Sequence, residues 1–158
     1  LDPKAPPVSR GMVLGIIAIA LVMTFSVLVA FQLELLRSTD VLGLNNAEAV
    51  DHARTVAFCT LVMAQLFYAL SARSSNKTLL RLGPFSNRML ILAILVSASL
   101  QLFVVYAPGI NNIFGTVALD AQAWLVILPL GALAMILSEV WKSLYNRTAD
   151  KNGAEEGR

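Results

Sequence analysis

The sequence predicts an all-α membrane protein with four transmembrane helices, and three observations predict it. Hydrophobic residues make up 57% of the 158 residues and charged residues 14%, with a mean hydropathy of +0.70. That composition leaves too little polar surface to cover a water-soluble globule. Charged residues are absent from 11–33, 55–72, 89–119 and 121–138. The apolar runs are continuous rather than alternating, which argues against strands and against a membrane barrel.

A bilayer core about 30 Å thick takes roughly 20 residues of helix, so each charge-free stretch holds one span. The spans are placed at about 11–33, 54–73, 88–107 and 121–143. Before the first lies a proline-rich segment, 1–10, read as a cytoplasmic loop; the run that follows is too long for the apolar region of a secretory signal. A chain opening at Leu1 is expected to be a fragment. Most of the second span falls in FCTLVMAQLFYALSARSSNK, 58–77, and it leaves the membrane where Arg73, Ser74, Ser75, Asn76 and Lys77 begin. GPFSN then supplies a turn and an N-cap at Ser86 or Asn87 for the third span. The third stretch is longer than one span because its second half, YAPGINNIFGTVALD, contains the turn-formers Pro108, Gly109, Asn111 and Asn112. In the fourth, Pro129 is expected to kink the helix, and Trp124 and Trp141 sit near its two ends as aromatic-belt anchors. The small, polar residues of 146–158 are expected to form a disordered cytoplasmic tail.

Orientation follows from the basic residues. Lys4 and Arg10 precede the first span; Arg73, Lys77, Arg81 and Arg88 lie between the second and third; Lys142, Arg147, Lys151 and Arg158 follow the fourth. The opposite side carries Arg37 and Arg54 together with Glu34, Asp40, Glu48, Asp51 and Asp120. By the positive-inside rule both termini are cytoplasmic. The basic pI of about 8.9 is accounted for by this topology and by anionic lipid, so the lipid bilayer is the expected partner and nucleic acid is not.

Motifs for chemistry are mostly missing. Cys59 is alone in the second span and is read as a packing residue. His52, beside Asp51 at the outer edge, is read as a solvated loop residue rather than a metal ligand. No phosphate-binding loop, HExxH or nucleophile elbow occurs. Asn76-Lys-Thr and Asn146-Arg-Thr match the glycosylation pattern but fall on the predicted cytoplasmic side. The chain alone is therefore not expected to hydrolyse ATP or a peptide. Two features remain. Gln65 is an amide at the centre of a charge-free span, with Tyr68 one turn on; it is expected to bond a neighbouring helix, with cation contact as the competing role. Glu139 and Lys142 are spaced to pair on one helix face near the inner headgroups, as a structural interface.

The runs ARTVAFCTLVMAQLFYALSARSSNKTLLRLGPFSNRML and LQLFVVYAPGINNIFGTVALDAQAWLVILPLGALAMILSEVWKSL resemble the C-terminal transmembrane domain of P-type (P2-type) calcium-transporting ATPases. The resemblance extends from DPKAPPVSR to Glu139-x-x-Lys142. It implies that the four spans correspond to helices 7–10 of a ten-helix membrane domain. It implies also ATP-driven calcium export through an aspartyl-phosphate, with ATP, Mg and Ca required by the full-length pump. The phosphorylation and nucleotide-binding domains, and the helices supplying most cation ligands, would precede this segment, and the remainder of the pump would be its partner. Gln65 falls where two-site members of the family have a calcium-binding glutamate. The plasma-membrane branch, which this stretch resembles more closely, has glutamine there and one calcium site, so a plasma-membrane location is implied. A carboxylate supplies charge that an amide does not.

Two other classes are compatible with four spans: an accessory or regulatory membrane subunit, and a small secondary transporter. The second would need an intramembrane carboxylate to couple protons, and none lies near mid-depth.

Overall fold

The computed structural model describes residues 10–72 and 87–156. They form five helices: α1 (Arg10–Asp40), α2 (Asn46–Ser71), α3 (Arg88–Tyr106), the short α4 (Ile110–Phe114) and α5 (Ala121–Glu156). Four of these are long and apolar enough to cross a membrane, through Val13–Asp40, Asn46–Ser71, Arg88–Tyr106 and Ala121–Trp141. Among the described residues there is no strand.

The expected spans are found, but their ends differ. Helix α2 begins at Asn46 rather than near residue 54, because the Asn45 side chain accepts a hydrogen bond from the Glu48 N–H at 3.0 Å and so starts the helix two turns earlier. His52 consequently lies on a helix and not in a loop. Asn87, one of the two expected caps, accepts from Leu90 N–H at 3.1 Å at the start of α3. The expected loop after Tyr106 contains the single-turn α4, which Gly115 ends with a left-handed φ of 63° that its lack of a side chain permits. Helix α5 runs unbroken through Pro129 and continues to Glu156. The segment from 146, expected to be disordered, therefore continues α5 as far as Glu156; extending an existing helix costs far less than nucleating one. Residues 73–86, which include the predicted exit from the second span and the GPFSN turn, and 1–9 lie outside the described residues.

Packing centres on α2, which lies extensively against both α1 and α5, while α3 makes lighter contact. The contact faces are built mainly from small residues, with Glu34 the exception on α1. On α1, Ser26, Ala30, Glu34 and Ser38 recur every fourth position and are all fully buried. On α2 the buried set includes Ala49, Ala53, Thr60 and Ala64, and on α5 Ala123 and Ala134. Small residues let helix backbones approach closely, which is what drives association where lipid tails are as apolar as leucine. The helices approach closely at Gly131, where a Cβ would stand 3.0 Å from Met63 Cβ and 3.3 Å from the Ala64 backbone nitrogen.

Eight residues beyond that contact on each helix, the Ser71 hydroxyl meets Glu139 and Ser138. Helices α2 and α5 therefore run parallel and in register, with α1 antiparallel to both.

Candidate functional site

Among the described residues three polar constellations lie along the bundle, one at one end, one a short way inward from it, and one at the other end. The first joins the end of α1 to the starts of α2 and α5. Arg37 donates through Nε to Glu34 Oε2 at 2.9 Å and through Nη2 to Glu34 Oε1 at 2.7 Å. It also grips Asp120 with both Nη atoms at 2.8 Å and reaches Gln122 Oε1 at 3.2 Å. Asp120 in turn accepts from the Ala123 N–H at 3.1 Å, capping α5. The Arg37 guanidinium, by its hydrogen bonds, holds the Asp120 carboxyl below its ordinary range.

Glu34 has no solvent exposure, and the Ser38 hydroxyl supplies it a further donor at 3.2 Å. His52 faces it from α2, with Nδ1 at 3.8 Å from Glu34 Oε1; that nitrogen is buried and has no hydrogen-bond partner among the described residues. The expectation of a solvated His52 is corrected: starting α2 at Asn46 turns the imidazole inward against α1.

Five residues along α2 from Arg54, buried Gln101 on α3 donates its amide N–H to Cys59 Sγ at 3.0 Å. Cys59 is thus buried, as a packing residue should be, and it is also the acceptor of an inter-helix bond. Nearby, Trp124 donates through Nε1 to the Tyr106 hydroxyl at 2.7 Å, which donates to the Leu119 carbonyl at 2.8 Å. At the opposite end, Ser71 donates to Glu139 and bonds Ser138.

The residues singled out from sequence are distributed among these features unevenly. Gln65 is exposed on the side of α2 away from its buried face and has no hydrogen-bond partner among the described residues. Tyr68 is half-buried one turn further on, and its hydroxyl likewise has no partner among the described residues. Glu139 engages Ser71 from α5. The side chain of Lys142 lies outside the described residues, so the expected pair with Glu139 does too.

Sequence reasoning missed Gln101, although it carried the same signal as Gln65, an amide inside an apolar run. It also missed the bond from Arg37 to Asp120, which are 83 residues apart; nothing local announces such a pairing.

One amide offers a single carbonyl oxygen, whereas calcium takes six to eight oxygens. Among the described residues no group of three or more His, Cys, Asp or Glu could hold a metal ion. The arrangement can therefore contribute to a cation site only in combination with ligands from elsewhere.

Residues 1–144 match the family described as "Cation transporting ATPase, C-terminus". The chain is 39% identical over 92 residues to the calcium-transporting ATPase of Bacillus subtilis, covering 58% of this chain and 10% of that protein. It is 32% identical over 95 residues to calcium-transporting ATPase 1 of Bacillus cereus, covering 60% and 11%. To calcium-transporting ATPase type 2C member 2 of Mus musculus it is 36% identical over 105 residues, covering 65% and 11%. The matched region thus spans about a tenth of the length of each relative.

Proposed function

Because the chain belongs to the cation-transporting ATPase C-terminal family, as a multi-pass segment of the membrane domain, we propose that it is the supporting half of an ATP-driven calcium pump. Its relatives named above are calcium-transporting ATPases. In this reading both termini are cytoplasmic, the four spans are helices 7–10 of the membrane domain, and the pump resides in the plasma membrane. ATP, Mg and the calcium ligands act through the remainder of the protein.

The observation that carries the reading is the outward placement of Gln65. From Arg54, at the edge of the charge-free stretch, to Gln65 the helix rises about 16 Å at 1.5 Å per residue, about half the hydrocarbon thickness. A primary amide facing lipid at that depth goes unsatisfied, whereas one facing another helix does not. The described residues of the four-helix unit supply it no partner, so its partner belongs to the helices that the family places upstream. Those helices also bring the carboxylates this unit lacks at mid-depth.

The test uses the full-length pump. Equilibrium calcium binding and calcium-dependent phosphorylation are measured for wild type, Gln65→Ala and Gln65→Glu. One calcium per phosphoenzyme, with affinity nearly unchanged in Gln65→Ala, is expected if the amide supports the site without ligating. A stoichiometry of two, or a fall of about tenfold or more in affinity in folded Gln65→Ala, would make Gln65 a ligand.

A further inference from the structure

Among the described residues, His52 Nδ1 is a buried polar atom that lacks a hydrogen bond, and the transport reading does not use it. Such an atom is costly to leave unpaired. A neutral imidazole has one N–H and one lone pair. With the lone pair on Nδ1, it faces the lone pairs of Glu34 Oε1 at 3.8 Å. With the N–H there instead, the oxygen is about 1 Å beyond the reach of a charge-assisted bond. At the observed distance neither neutral form bonds. The charged ring carries an N–H on both nitrogens and a full positive charge beside the carboxylate, an attraction that the low dielectric of an enclosed site strengthens.

The charge count around the ring points the same way. Glu34, with no solvent exposure, and Asp120 both bind the single guanidinium of Arg37, so two negative charges share one positive. A proton on His52 supplies the second. The other charged groups at this end are occupied or face solvent. On α2 itself Asp51 and Arg54 pair with each other at 3.7 Å, while Glu48, one turn before His52, and Asp40, at the end of α1, are exposed. From α3 the titratable group at this end is Tyr106, whose hydroxyl donates to the Leu119 carbonyl, and α4 brings none.

A metal cation fits less well, because among the described residues no third His, Cys, Asp or Glu joins Glu34 and His52 in a group that could hold one. A proton needs no further ligand. The His52 side chain keeps 22% of its surface exposed, so the ring is reached from solvent without separating α1 from α2.

We propose that His52 and Glu34 form a proton-binding site at this end of the bundle. The proton comes from solvent and adds to the imidazole lone pair; no bond in the protein breaks. The charged ring then closes onto Glu34 Oε1 and fastens α2 to α1. Histidine is the side chain whose charge ordinarily changes between about pH 5 and pH 8, so the site responds to ordinary shifts of acidity. A proton held in the folded state at a site that the unfolded chain lacks stabilises the fold as pH falls through that range, and the gain is lost as pH rises. The site is independent of which ion the full-length protein moves.

The test follows the full-length protein in detergent from about pH 8 to pH 5, by NMR of isotope-labelled histidine and by thermal unfolding of the same samples. The His52 resonance is the one that His52→Gln removes. It is expected to charge within that range in wild type, and at a pH lower by about one unit or more in Glu34→Gln. Wild type should gain thermal stability as pH falls from about 8 to 6, and His52→Gln should lose that gain, in a window well above the one in which Asp120 is protonated. Where Glu34→Gln fails to fold, the comparison of wild type with His52→Gln decides. An imidazole that stays neutral throughout, a titration that Glu34→Gln leaves in place, or equal pH profiles of stability in wild type and His52→Gln overturns the proposal.

Discussion

Arg37 carries more of the fold than any residue marked out by sequence. It contacts two carboxylates and one amide from α1 and the start of α5, and one of those carboxylates, Glu34, is wholly enclosed. Removing one partner of a buried ion pair leaves an uncompensated charge, a loss of about 3–5 kcal/mol. Arg37→Leu should therefore lower the melting temperature of the detergent-solubilised protein sharply, and Arg37→Leu combined with Glu34→Leu should recover much of the loss. Asp120 adds a pH dependence. Its folded carboxyl is held below the ordinary range by Arg37, so its contribution is present above the unfolded value near 4 and disappears as pH falls through the folded one. An acid titration of thermal stability should show that loss below about pH 4 in wild type and a weaker one in Asp120→Asn. The amide at Gln65 behaves differently: with no partner inside the unit, Gln65→Ala should change the stability of these four helices by less than about 0.5 kcal/mol. Sequence revealed which residues were polar at depth, but whether Gln65 or Gln101 points inward depends on the rotation of each helix, which a nearly uniform apolar run does not encode.

The existence of the long helices could be read from charge-free length alone, while their ends could not. Helix α2 starts where an asparagine caps it, and α5 persists beyond the apolar stretch because a formed helix propagates. The parallel register of α2 and α5 was not legible either, since it depends on matched small residues separated by more than sixty positions. Gly131 is a point of close approach within it. A valine there must displace Met63 and the backbone at Ala64, an overpacking cost of about 1–3 kcal/mol. Gly131→Val should accordingly destabilise the protein in thermal unfolding, and Met63→Ala in the same chain should not relieve the strain, because alanine keeps the Cβ at that position and the Ala64 nitrogen stays in the way.

For the whole molecule, the charge asymmetry gives a topology that labelling can check. With Cys59 replaced by serine, Cys introduced at Asn46 or Ala118 should react with membrane-impermeant reagents from outside, and Cys at Arg88 only from inside. Reaction of Asn46 and Arg88 positions from the same side would exclude the four-span arrangement. The parallel alignment of α2 and α5 has an electrostatic corollary. Two helix macrodipoles present their positive ends together where α2 and α5 begin, and the negative end of α1 arrives at the same level. The charged side chains are sorted to match: Glu48 sits in the first turn of α2, Asp120 caps α5, and Arg37 occupies the last turn of α1. Of the two arginines on the side that positive residues mostly avoid, Arg37 is thus held by two carboxylates and by the carbonyl end of its own helix, so a residue that runs against the orientation rule fastens that end of the bundle.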